Sequence, residues 1–319
     1  MNNLKKIGLS ALAGSLVSFS AGAAEMSVSG GAAIYFDDTN RGKATRGNGF
    51  YMGDSLNFAA SGETDGGLSV GVKYEIDAGA LDDYSISLGG DWGTLVFDGH
   101  GASSAMGAVD DVMPNAYEES WDVIDTDGTN TTGSPTVIGG GGGNNAFIYT
   151  SPSFSGAQVK MYYQNDGGAA AVSDSYMDFA ISFAPEQVEG LTLGYATADK
   201  QVGVNLDEDK DTMYIKYAYG AFTVGAQASE MSHTTATKGM ESTAYGITYA
   251  VNDDMSIGFH SHTLETDVTT DADQESHGIS FSYTMGGMTL AGAMNEVDAI
   301  AGSATRDHEG YEFGLSFAF

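Results

Sequence analysis

Period-two alternation over short segments constrains this chain more than any other feature. In Leu68 to Asp77, the residues Leu68, Val70, Val72, Tyr74 and Ile76 share one face, while Ser69, Gly71, Lys73, Glu75 and Asp77 share the other. Successive side chains of a strand point to opposite sides, so the segment predicts a strand with one apolar and one polar face. The pattern returns in Ala157 to Gln164 and in Thr212 to Tyr219. It returns at the end of the chain, where Tyr311, Phe313, Leu315, Phe317 and Phe319 oppose Glu312, Gly314, Ser316 and Ala318.

Sixteen such segments can be read: 26–36, 50–61, 68–77, 83–89, 93–98, 144–151, 156–164, 175–183, 190–198, 211–219, 221–230, 241–250, 255–264, 275–284, 288–296 and 308–318. The links between them alternate in length. Short turns fall at 62–67, 90–92, 152–155, 184–189, around Gly220, 251–254 and 285–287. Longer polar links fall at 37–49, 78–82, 99–143, 165–174, 199–210, 231–240, 265–274 and 297–307. An even strand number with short turns at one end and long loops at the other is the signature of a single-chain outer-membrane β-barrel. With 45 glycines, 4 prolines, 17 tyrosines and 15 phenylalanines, the composition suits an all-β chain with many tight turns.

A soluble β-sandwich alternates in the same way but buries its apolar face. Three features favour the barrel. The polar faces carry Ser, Gly, Ala, Thr and Gln, aromatics gather near strand ends, and Lys73, Lys160 and Lys216 all lie on the polar side. A lysine facing lipid at mid-membrane costs ~2–4 kcal/mol.

Residues 1–24 have the layout of a secretory signal peptide: Lys5 and Lys6, a mostly apolar stretch to Phe19, then Ala21-Gly22-Ala23-Ala24. The expected barrel therefore covers 25–319. No cysteine is present, which excludes disulfides and thiolate metal sites. The chain holds 43 Asp and Glu against 12 Lys and Arg. Such a field repels nucleic acid and attracts cations; solvation of surface loops is the alternative role for these acids.

Three local features carry a family resemblance. Glu25-Met26-Ser27-Val28-Ser29-Gly30 looks like a first barrel strand, and Tyr149-Thr150-Ser151-Pro152-Ser153-Phe154-Ser155-Gly156 looks like a short periplasmic hairpin. The alternating aromatic end closing on Phe319 looks like a terminal strand. The chain thereby resembles the general diffusion porins of Gram-negative bacteria, most closely the alphaproteobacterial type. The resemblance implies a sixteen-stranded, usually trimeric barrel in the outer membrane, in contact with membrane lipid and lipopolysaccharide. It implies Phe319 as the signal read by the assembly machinery. It implies a third long loop, here 99–143, folded into the lumen as a constriction.

That loop holds Asp110, Asp111, Glu118, Glu119, Asp122, Asp125 and Asp127 and no lysine or arginine. A floppy surface loop is the alternative, and the run Gly139–Gly143 could be a flexible return into the next strand. Members of the family often face the acidic loop with an arginine cluster. Here the wall offers only Lys73, Lys160 and Lys216, with Arg41, Lys43 and Arg46 in the first long loop. A cation-preferring pore is the expectation. A substrate-selective channel and a non-channel adhesin or structural barrel are the alternatives.

Other constellations are weaker. Asp125-Thr126-Asp127-Gly128 has a faint likeness to the start of a calcium loop but lacks the remaining ligands. No cofactor is expected beyond that calcium candidate. His260 and His262 share a strand face without an evident third metal ligand, which suits lumen-wall or rim residues. His277 falls on the outward face near a strand end. No G-x-S-x-G elbow and no matched His–Ser pair stands out, so an enzyme is not expected.

Overall fold

Antiparallel hairpins, each closed by a backbone ladder to the next, build the whole architecture. In the computed structural model the described residues are 25–37, 49–122, 136–165, 175–203, 206–235 and 238–319. The expected leader 1–24, the basic residues Arg41, Lys43 and Arg46, and Asp125 and Asp127 lie outside the described residues.

The first strands are β1 (Glu25–Asp37), β2 (Phe50–Glu63), β3 (Ser69–Asp77), β4 (Ala80–Gly90) and β5 (Gly93–His100). Two short pieces, β6 (Ala102–Ser103) and β7 (Gly142–Gly143), pair only with each other. Then follow β8 (Ala146–Thr150), β9 (Ala157–Gln164), β10 (Tyr176–Phe183), β11 (Leu191–Gly203), β12 (Leu206–Tyr219) and β13 (Phe222–His233). The chain ends with β14 (Met240–Asn252), β15 (Met255–Thr266), β16 (Gln274–Met285), β17 (Met288–Asp298) and β18 (His308–Ala318).

Leaving out β6 and β7, sixteen strands form one closed barrel in sequence order. The seam joins β1 to β18, with Gly31 opposite Ala318 and Asp37 opposite Glu312. Closure leaves no edge strand, so every strand has a ladder on both sides, as a sheet in hydrocarbon requires.

The apolar faces point away from the barrel axis. On β12, Met213 is 58 % exposed while its neighbour Thr212 is 1 % exposed. Tyr162 on β9 is buried, whereas Met161 and Tyr163 are exposed. The sandwich alternative thus fails, because the greasy side is the outer side. At the short-turn end, aromatics form an outer collar that includes the stacked pair Trp92 and Tyr149 and the pair Phe222 and Tyr249. Amphipathic rings favour that membrane–water boundary.

Two expectations need correction. The link at 78–82 is not long: β3 and β4 meet through Ala78 and Gly79, at φ 47° and 78°. Paired positive φ values make a tight hairpin turn, and Asp-Ala-Gly-Ala lacks the Asn-Gly or Asp-Gly dipeptide that advertises one. The strict alternation of link lengths breaks there. The strands also run further toward the long-link end than the alternation suggested. β11 and β12 still pair at Gly203 and Leu206, within the span read as a link at 199–210. Outward Asp199, Asp207 and Asp209 end the apolar pattern once the wall rises past the apolar band, but the backbone ladder continues. Hydropathy marks where a strand meets lipid, not where it stops.

Candidate functional site

The segment between β5 and β8 is laid against inward-facing side chains of the wall. Inward polar residues at period-two positions act as its anchors. The Asp178 carboxylate on β10 accepts the backbone N–H groups of Ala105 and Met106, each at 2.9 Å, and the Tyr176 hydroxyl at 3.0 Å. Gln227 on β13 donates to the carbonyls of Val109 (3.2 Å) and Asp110 (2.7 Å). Ser280 on β16 accepts from Ala116 N–H at 2.9 Å, and Asn295 on β17 donates to the Glu119 carbonyl at 2.7 Å. Glu312 on β18 accepts the hydroxyls of Tyr117 and Tyr51. On the return, Gln274 on β16 both donates to and accepts from the Thr136 backbone.

Apolar packing supplements these bonds. Met106, Val109, Met113 and Ile138 are buried against Ile148, Tyr162 and Tyr176. The glycine run is close-packed. A Cβ on Gly140 would meet the Gly107 backbone at 2.1 Å, and one on Gly141 would meet the Tyr176 ring at 2.7 Å. Glycine lets the return strand touch the outgoing one, and β6 with β7 seals that contact.

The wall lysines end on this loop. Lys160 Nζ donates to the Ser104 carbonyl at 3.1 Å and Lys216 Nζ to the Val112 carbonyl at 3.5 Å. Lys210, which the sequence reading had placed in a link, donates to the Gly139 carbonyl at 2.8 Å and pairs with Glu208 at 3.1 Å. Lys73 does not reach the loop in this way; it pairs with Glu75 on its own strand at 2.9 Å.

The acidic candidates divide. Glu118, Glu119 and Asp122 come together, with carboxylate oxygens within 4.8 Å of one another. Burial, followed by a hydrogen bond with Asp122, pushes the Glu119 carboxyl up to about 8. Burial also raises Asp111, with the Asp122 charge adding to it. Asp110 turns to the return strand, where its carboxylate accepts the Gly140 N–H.

Ser120 and His260 form a pair that the sequence reading missed. The Ser120 Oγ lies 2.8 Å from His260 Nδ1 and 2.7 Å from Ser276 Oγ. Ser120 is 0 % and His260 2 % exposed, and the pair ties the loop to β15 and, through Ser276, to β16. Trp121 sits edge-on to His260 and His262, with ring centroids 5.0 and 4.7 Å away. His277 lies outward, as its parity implied, and faces Glu296 at 3.3 Å.

Elsewhere the inner wall is recessed by small side chains. Ser27, Ala59, Gly71, Lys73, Ser85 and Ser87 line a hollow of about 500 Å³ on the β1–β4 side.

The family profile of the Gram-negative porin matches residues 8–319. A search of curated proteins finds no match. Among solved structures, the anion-selective porin from Comamonas acidovorans is 14 % identical, with a TM-score of 0.69 over 93 % of this chain and 100 % of that one. A porin refined at 1.8 Å resolution is 18 % identical, with a TM-score of 0.66 over 92 % of this chain and 100 % of that one. OmpT, an outer membrane protein of Vibrio cholerae, is 11 % identical, with a TM-score of 0.66 over 94 % of this chain and 99 % of that one. At these identities the structures speak for the fold, and the near full-length profile speaks for the family. The chain belongs to the Gram-negative porins, and its barrel is an outer-membrane channel.

Proposed function

We propose that this porin passes small hydrophilic solutes by passive diffusion and prefers cations, with the acidic cluster Glu118, Glu119 and Asp122 on the inner loop as its selectivity element. One observation carries the reading: the carboxylates of Glu118, Glu119 and Asp122 converge within 4.8 Å of one another on the inner loop, while the wall residues Lys160, Lys210 and Lys216 end on loop carbonyls. Clustered charge in a narrow aqueous passage with low-dielectric walls concentrates counter-ions and repels co-ions. The anion-selective porin from Comamonas acidovorans shares the fold, so side-chain charge, not architecture, sets the sign of the preference. The reading needs no catalytic step and no resident cofactor. It includes a leader removed near Ala24 and assembly as a trimer, favoured by small outward residues such as Ala32 in β1.

Reversal potentials under a salt gradient in planar bilayers test the proposal. Cation preference is expected at low salt and should weaken as the Debye length falls from about 8 Å at 0.15 M to about 3 Å at 1 M. Anion preference at low salt overturns it.

A further inference from the structure

Two β-bulges meet at Tyr84, near the long-loop end of β4. On the β3 side the register passes from Tyr74–Tyr84 to Ile76–Leu81, so Asp82 and Asp83 together oppose Glu75. On the β5 side it passes from Ser85–Asp98 to Tyr84–His100, so Gly99 is the extra residue. A bulge re-aims the side chains around it. Here His100 joins the outward row of Tyr74 and Tyr84, and Asp82 and Asp83 turn toward it. One ligand atom of each of Asp82, Asp83 and His100 lies within 4.8 Å of the other two.

Two glycines make this approach possible. A Cβ on Gly99 would overlap the Tyr84 ring, and one on Gly101, at φ 80°, would overlap the Asp83 carboxylate. The imidazole is fixed from two directions. The Tyr84 ring stacks beside it, with ring centroids 6.4 Å apart, and the His100 backbone N–H donates to Asp98 Oδ1 at 3.2 Å. His100 Nδ1 is shut off from solvent and makes no hydrogen bond among the described residues. It faces Asp83 Oδ1 at 3.8 Å and Asp82 Oδ1 at 4.0 Å. Those separations are too wide for a hydrogen bond. A simple ion pair would draw the nitrogen onto one carboxylate, whereas it stands between two. A zinc ion sits ~2.0–2.2 Å from each ligand and so holds its ligand atoms about 3–4 Å apart, a span these side chains already match.

We propose that Asp82, Asp83 and His100 bind one divalent metal ion, with zinc the occupant their donors select. One imidazole nitrogen with two carboxylate oxygens suits zinc, whereas magnesium and calcium favour all-oxygen sets. Three protein ligands leave a fourth position for water. The inner-loop acids Glu118, Glu119 and Asp122 offer only oxygen, so metal preference separates the two clusters. His100 ends β5, and the chain leaves the wall for β6 and the inner loop two residues later. The ion thus ties β4 to β5 at the root of that loop, where the bulges interrupt the ladder. The proposal does not depend on the ion preference of the pore.

Calorimetric titration of zinc into the full protein, folded in detergent without an affinity tag and held in excess magnesium, tests it. Magnesium occupies the all-oxygen clusters. One zinc ion per barrel is expected, and X-ray absorption at the zinc edge should show one imidazole nitrogen and otherwise oxygen. His100→Gln should abolish this binding, and Asp82→Asn/Asp83→Asn should weaken it several-fold or more. Glu118→Gln/Glu119→Gln and His277→Gln should leave it unchanged. Heat-modifiable mobility identifies the folded variants, and the zinc-edge spectrum of the parent protein decides the donor set without any of them. No zinc bound in excess magnesium, a zinc shell without imidazole, or binding that survives His100→Gln overturns the proposal. Zinc lost in His277→Gln would assign it to the outward pair of His277 and Glu296 and overturns the proposal as well.

Discussion

The ammonium of Lys160 ends 3.1 Å from the carbonyl of Ser104, so a cation on the wall of this porin clamps the inner loop. A charged hydrogen bond of this kind contributes about 1.5–3 kcal/mol. Lys160→Met should therefore loosen the loop before it alters ion preference. Single-channel records of the variant should show more frequent partial closures with a permeability ratio close to that of the parent. A shifted ratio with quiet, unchanged records would assign Lys160 to selectivity instead.

Asp178 is the anchor with the most to lose. Its two oxygens take the N–H groups of Ala105 and Met106, and the carboxylate is 3 % exposed. Asp178→Asn keeps the shape but turns an amide donor toward one of those donors, leaving a buried group unpaired at a cost of about 1–3 kcal/mol. Faster hydrogen exchange at Ala105 and Met106, with the barrel still resistant to unfolding in cold detergent, is the expected result. Unchanged exchange at both amides would remove Asp178 as an anchor.

The raised Glu119 carboxyl gives the pore a pH dependence of definite sign. Below about 8 this group carries a proton, and the cluster with Glu118 and Asp122 has one negative charge fewer. As pH rises through that value the proton leaves, so cation preference should strengthen between pH 7 and 9. Reversal potentials across that range check it, with Glu119→Gln expected to flatten the response. A preference that falls as pH rises would mean that another group controls it.

At the seam, Gly30 and Phe319 exchange both backbone bonds, at 2.9 and 3.0 Å. A Cβ on Gly30 would meet the Ser55 carbonyl at 2.6 Å and the Phe319 ring at 3.0 Å. Gly30→Val should displace the terminal residue from its seat and lower the yield of folded barrel in the outer membrane. Deletion of Phe319 should do the same. The folded fraction is read from heat-modifiable mobility on gels, and normal levels of both variants would detach the seam from assembly.

How much of this was legible depended on which physical signal each element leaves in the sequence. Met213 and Thr212 disclose their faces because lipid and lumen impose opposite hydropathy on alternate residues. The Ala78–Gly79 hairpin hides, since its turn lacks a marker residue, and the upper ends of β11 and β12 hide because aspartates replace the apolar stripe there. Asp178, Gln227, Asn295 and Glu312 were visible as polar residues on inward positions, but nothing local says which loop atom each one meets. Glu118, Glu119 and Asp122 were named from charge alone; their convergence, and the departure of Asp110 toward Gly140, depend on contacts far apart in sequence. Lys210 was missed because its strand, read as starting at 211, starts at Leu206.

The most direct measurement is the cation-to-anion permeability ratio of Glu118→Gln/Glu119→Gln/Asp122→Asn against the parent protein, from reversal potentials in dilute potassium chloride. The wall anchors Asp178, Gln227, Ser280, Asn295 and Glu312 are untouched, and Glu119 gives up the hydrogen bond from the Asn115 side chain, so the pore should stay open. The predicted result is a ratio that falls most of the way toward unselective permeation while single-channel conductance keeps its order of magnitude. An open pore with the parent's ratio would contradict the assignment of selectivity to these carboxylates.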